Sequence, residues 1–76
     1  MHNANVRLKN GKTYCAPIWG WRPIDGWFSL VQDDGPIEIQ FNDVEEAFEY
    51  ERVDTTGQLR KVDLLERARN DGWKSD

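Results

Sequence analysis

The chain has 76 residues, one cysteine and a formal net charge of −4. That length suits one thin-cored domain, because a chain of this size buries only about 60% of its unfolded surface. Lone Cys15 excludes an internal disulfide or a cysteine cluster for metal, no run approaches the ~18 apolar residues of a membrane span, and net acidity disfavours non-specific nucleic-acid binding.

In chain order, Val6-Arg7-Leu8-Lys9 alternates apolar and polar residues as a half-buried strand does. Asn10-Gly11 then signals a two-residue type I′ hairpin turn. The return strand, about 12–19, places Tyr14, Ala16 and Ile18 on one face and Cys15, Pro17 and Trp19 on the other. Pro17 has no N–H, which requires an edge or a bulge there. Arg22-Pro23-Ile24-Asp25-Gly26 is a turn, 27–31 a central strand, and Gln32-Asp33-Asp34-Gly35 a second turn. The stretch 36–41 alternates strictly, with Ile37, Ile39 and Phe41 inward. Asn42-Asp43-Val44-Glu45-Glu46 reads as one helical turn capped by Asn42 or Asp43, and 48–53 as the fifth strand. Gln58–Val62 fits either a short sixth strand or an extended connector. Asp63 opens a helix over about 63–71, with Asp63-x-x-Glu66 resembling a capping box and Gly72 suited to the position just past its end. Two turns are marginal alone, so Leu64, Leu65 and Ala68 must dock, with Trp73 as a clamp.

Five short strands, tight turns and one terminal helix predict a mainly β single domain over 1–76, a small antiparallel SH3-like or Sm-like barrel whose closure protects its edges. Val6-Arg7-Leu8-Lys9-Asn10-Gly11-Lys12, followed by Asp25 ahead of the Trp27–Val31 strand, resembles the first half of the Sm-like signature over roughly the first 30 residues. The resemblance implies a barrel. It does not imply RNA binding: Phe28 or Ser29 stands where Sm-like proteins place a base-holding asparagine, and Asp43-Val44-Glu45-Glu46 replaces the Arg-Gly pair before the last strand.

Three of the four tryptophans lie between positions 19 and 27. Such a cluster fills a small core or presents a recognition surface. Alternation puts Trp19 and Trp21 together on the face opposite Ile18, and makes Trp27 the better candidate for the core or barrel rim. Residues 1–42 balance in charge, whereas 43–76 carry ten acids against six bases. The run 43–51 holds five carboxylates and no base. Glu49 and Glu51 then share a solvated strand face, or dock a basic partner groove, with Phe48 and Tyr50 on the other face. Arg60, Lys61, Arg67 and Arg69 read as solvated surface and helix-dipole compensation. Cys15 reads as a small buried hydrophobe. His2 has no cysteine or histidine partner to share a metal, and no nucleophile–base set or phosphate-cradling loop can be assembled.

These features predict a non-catalytic, cofactor-free binding module with no metal site. A protein partner would be recognised through Trp19, Trp21, Arg22 and Trp27, with Glu49 and Glu51 as a second face. A nucleic-acid-binding barrel and a self-associating structural protein are the alternatives. The expected setting is a complete cytoplasmic polypeptide, by size and style a phage or mobile-element accessory protein that inhibits a host system.

Overall fold

A computed structural model of the chain describes residues 3–74, so the reading of His2 lies outside the described residues. Strands β1 (Asn3–Leu8) and β2 (Thr13–Arg22) form the first antiparallel hairpin, with Ala4 opposite Ala16 and Val6 opposite Tyr14. Its turn is not type I′. Gly11 donates its N–H to Leu8 O (2.9 Å), Leu8 donates to Lys12 O (2.8 Å), and among the described residues no non-glycine residue has positive φ. The loop is therefore Lys9-Asn10-Gly11, a turn ending in a glycine bulge, and Asn10 accepts the Lys12 N–H through Oδ1 at 2.9 Å.

The chain continues through β3 (Trp27–Leu30), β4 (Ile37–Gln40), a 3-10 turn (Phe41–Asp43), β5 (Val44–Arg52), β6 (Leu59–Asp63) and helix α1 (Leu64–Asn70). The strands form one antiparallel sheet in the order β4-β3-β2-β1-β5-β6. Among the described residues there are six strands instead of the expected five, and the sheet is not closed into a barrel: β4 and β6 are left as edges. The sixth strand has a clear cause. β5 pairs with β1 only from Val44 to Phe48, and Leu59–Asp63 takes up the backbone groups of Phe48–Arg52. β2 likewise changes partner: Thr13–Pro17 pairs with β1, and Ile18–Arg22 pairs with β3. Pro17 closes the β1 ladder just before a register shift, the irregular position its missing N–H requires.

Two bulges set which residues face inward. One lies where Arg7 pairs with Glu46 but Leu8 pairs with Val44, leaving Glu45 extra on β5. Val44 and Ala47, three apart, are consequently both buried. This bulge conceals the strand character of 44–46, which is why the expected helical turn is a shorter 3-10 turn without a side-chain cap. The other lies in β2, where Ile18 pairs with Leu30 and Gly20 with Ser29, leaving Trp19 extra.

The core joins Ala4, Val6, Ala16, Phe28, Leu30, Ile39, Phe41, Val44 and Ala47 from the inner face of the sheet with Leu64, Ala68 and Trp73 from the C-terminal segment. Helix α1 packs on β5 and β6. Asp63 caps it through Oδ1, which accepts from Leu65 N–H (2.9 Å) and Glu66 N–H (3.3 Å). At its other end Trp73 N–H reaches Ala68 O (2.8 Å), Gly72 N–H reaches Arg69 O (3.2 Å), and Gly72 has φ +112°. This glycine-terminated stop turns the chain so that Trp73 folds back into the core at 8% exposure, 5.2 Å from the Phe41 ring. Among the described residues, no helix is long and apolar enough to cross a membrane.

Candidate functional site

The β2 bulge divides the tryptophan cluster differently from strict alternation. With Trp19 as the extra residue, Trp19 and Gly20 both stand against Ser29 on the outer face, and Trp21 rotates inward opposite Phe28. Trp21 is half-buried. Its ring lies 5.3 Å edge-on from Phe41 and 6.0 Å from Phe28, and its Nε1 donates to Asp71 Oδ2 at 2.8 Å. The expected Trp19–Trp21 pairing on one face is thus overturned, and Trp21 ties the sheet to the end of the helix. Trp27, the expected core residue, lies on the outer face because Phe28 and Leu30 take the inner positions of β3 at 0% exposure.

Trp19 is left 69% exposed. Cross-strand register places Gly20, Ser29 and Glu38 in one row of the outer face, and Arg22, Trp27 and Gln40 in the next. The Trp27 ring reaches across Gly20: a Cβ at Gly20 would lie 3.8 Å from the indole and 2.7 Å from Ser29 Oγ. A side chain at position 20 would therefore force the Ser29 hydroxyl to shift. Ser29 is 4% exposed, and its hydroxyl is a buried polar group without a hydrogen-bond partner. Val31 lies beside this end of the face, its N–H bonded to Pro17 O at 2.9 Å and its side chain exposed. Arg22, beside Trp27, is held by Asp25 through two bonds to Oδ2, 3.1 Å from Nε and 2.8 Å from Nη2.

Glu49 and Glu51 do not form a free second face. They share the side of β5 that carries Ala47 and helix α1, where the Arg67 guanidinium forks to Glu49 Oε1 (2.6 Å) and Glu51 Oε2 (3.3 Å), and Arg60 also bonds Glu51. The acid-rich strand is internally neutralised. Phe48 and Tyr50 take the outer side, their rings 5.7 Å apart and perpendicular, with Lys61 Nζ 4.2 Å above Phe48. Cys15 is exposed rather than buried, because it lies on the outer side of β2 opposite Asn5. It lines an open hollow of about 510 Å³ with Asn5, Arg7, Thr13, Glu46 and Phe48.

Among the described residues, no group of three or more His, Cys, Asp or Glu side chains is arranged to hold a metal ion. Sequence reasoning missed Glu38 and Val31 as neighbours of the outer tryptophans. Glu38 had a signal, the strict alternation of β4, which already set it on the opposite side from Ile37 and Ile39. Asp71 as the Trp21 partner, 50 positions away, had none. Comparison with protein-family models, curated proteins and solved structures finds no match to this chain.

Proposed function

We propose that this protein is a non-catalytic binding module that recognises a protein partner through the outer face of β2, β3 and β4, with Trp19 and Trp27 as the anchoring side chains. The observation that carries the reading is the 69% exposure of Trp19 beside a second outward indole, in a chain that buries Trp73 and uses Trp21 as a strut. Leaving a large aromatic ring in water forgoes about 2–3 kcal/mol of burial, and tryptophan is enriched where interfaces concentrate their binding energy. Trp21, Glu49 and Glu51 have scaffold roles in this reading, and Arg22 remains at its rim.

Charge supports a protein over a nucleic acid as the partner. Arg7, Arg22, Arg60, Lys61 and Arg67, half of the ten cations, face carboxylates of the chain itself, and the net charge of −4 works against attraction of phosphates. We read the sheet as a relative of the SH3-like and Sm-like barrels. The return of β5 to β1 after a 3-10 turn and the change of partner along β2 support that reading. The size and acidity of the chain fit a phage or mobile-element accessory protein acting on a host component in the cytoplasm.

The test is capture from a host lysate with the parent chain and with Trp19→Ala and Trp27→Ala variants, each first checked for an unchanged melting transition. A protein retained by the parent and lost by folded Trp19→Ala is the expected result. Equal retention by both removes the reading. Sedimentation over a concentration series covers the self-association alternative, for which the β4 and β6 edges are the available surfaces.

A further inference from the structure

Resting on that reading, we infer that the Trp19–Trp27 face takes a cationic, arginine- or lysine-rich peptide segment of the partner, with Glu38 as counter-ion. The molecule's own pairings show which charges are left over. On the far side of the outer face Lys61 already occupies the Phe48 ring at 4.2 Å, and on the core side Arg69 lies 5.3 Å from the Trp73 ring. Among the described residues no cation of the chain lies over Trp19 or Trp27. Indole is the strongest aromatic acceptor of a cation, so the best two such surfaces on the outer face are the ones without a cation.

The carboxylates divide in the same way. Glu45, Glu46, Glu49 and Glu51 are matched by Arg7, Lys61, Arg67 and Arg60, and Asp25 by Arg22. Asp33, Asp34 and Glu38, like Asp43, Asp54, Asp63, Glu66 and Asp71 elsewhere in the chain, have no ion-pair partner among the described residues. Glu38 stands on the tryptophan side of β4 opposite Ser29, its Oε2 accepting from Gln40 Nε2 at 2.7 Å, and Asp33 and Asp34 occupy the turn between β3 and β4. Arg22, opposite Trp27 in the β2–β3 register, is paired with Asp25. The uncompensated field at this end of the sheet is therefore negative.

A third feature is the Ser29 hydroxyl, buried at the base of this face against Gly20 with no partner. Glu38 is two strands from Trp19, about 10 Å at ordinary strand spacing. A peptide crossing the strands spans that distance, laying one cationic side chain on an indole and another against the carboxylate.

The experiment titrates the intact chain with hexa-arginine, and with hexa-glutamate as control, while following the four indole N–H resonances. Hexa-arginine is expected to shift Trp19 and Trp27 and leave Trp21 and Trp73 in place. Binding should weaken about tenfold in Trp19→Ala and several-fold in Glu38→Gln, both with unchanged melting, and decline as salt is raised. Absence of binding, shifts confined to other residues, or affinity indifferent to Trp19→Ala and Glu38→Gln each overturn the inference. A lysate protein captured through Trp19 but indifferent to Glu38→Gln and not displaced by hexa-arginine overturns it while leaving the protein-binding reading intact. Loss of Trp19-dependent capture itself removes that reading too. Concentration-dependent dimerisation that buries Trp19 would identify a second copy as the occupant and overturn the peptide.

Discussion

Replacing Trp21 with alanine distinguishes a strut from a contact residue. The indole is half-buried, 5.3 Å from Phe41 and 6.0 Å from Phe28, and its Nε1 bonds Asp71 at 2.8 Å. A fully buried Trp→Ala change costs about 3–5 kcal/mol, so roughly half of that, about 2 kcal/mol, is expected for the ring. The hydrogen bond to exposed Asp71 adds about 1 kcal/mol. Total stability for a chain of 76 residues is about 4–11 kcal/mol, so a loss near 3 kcal/mol is a large fraction of it. With an unfolding entropy of about 160 cal/mol/K at this length, each kcal/mol lowers Tm by about 6 °C, which gives a fall of about 18 °C. Trp21→Phe keeps the ring against Phe41 and loses only the N–H, for about 6 °C. Trp19→Ala should stay within about 3 °C, as exposed positions do. Thermal unfolding followed by far-ultraviolet circular dichroism reads all three. A Trp21→Ala melt within about 3 °C of the parent, or a Trp19→Ala melt that falls equally far, refutes the inward rotation of Trp21 at the bulge.

Gly20→Ala places a methyl 2.7 Å from Ser29 Oγ and should cost about 1–3 kcal/mol. Adding Ser29→Ala removes the clashing oxygen and should recover most of that loss in urea unfolding, and Ser29→Ala alone should be neutral or stabilising because the hydroxyl has no partner. Additive losses in the double variant would contradict the packing described. Arg67→Met leaves Glu49, whose side chain is 16% exposed, without its guanidinium; a loss of about 1–2 kcal/mol is expected, with Arg67→Lys intermediate because one ammonium cannot fork to two carboxylates. No change in the urea midpoint for Arg67→Met would show the network to be surface decoration. The Thr56 hydroxyl and backbone N–H hold the Asp54 carboxyl below its ordinary pKa. Because the folded value is depressed, the loop gains stability above the ordinary aspartate pKa and loses it as pH falls through the lowered one. A carboxyl-detected titration of Thr56→Ala should return Asp54 toward its ordinary value; an unchanged titration would remove the hydroxyl as the cause.

Much of the fold was legible because local chemistry determined it. Alternation at Tyr14, Ala16 and Ile18, and at Ile37 and Ile39, gave strand faces that the sheet keeps, and Phe41 points inward from the 3-10 turn that follows β4. Asp63 and Gly72 marked the ends of the helix because capping and positive φ are properties of one or two residues. The mainly β class with a single C-terminal helix followed from these signals alone.

What alternation could not carry was a change of phase. One extra residue at Trp19 and one at Glu45 each reverse the faces that follow, and bulges arise from how two strands are matched rather than from either strand's own pattern. That is why Trp21 turned inward to pack half-buried against the core, and why Glu49 and Glu51 faced the helix instead of solvent. The partners that fixed them, Asp71 for Trp21 and Arg67 for the two glutamates, lie 50 and 16–18 positions away. The sequence by itself determined that aromatic anchors and a surplus of carboxylate were present. Only the tertiary structure decided which indoles and which carboxylates remained unpaired, because pairing depends on register and on where the helix docks.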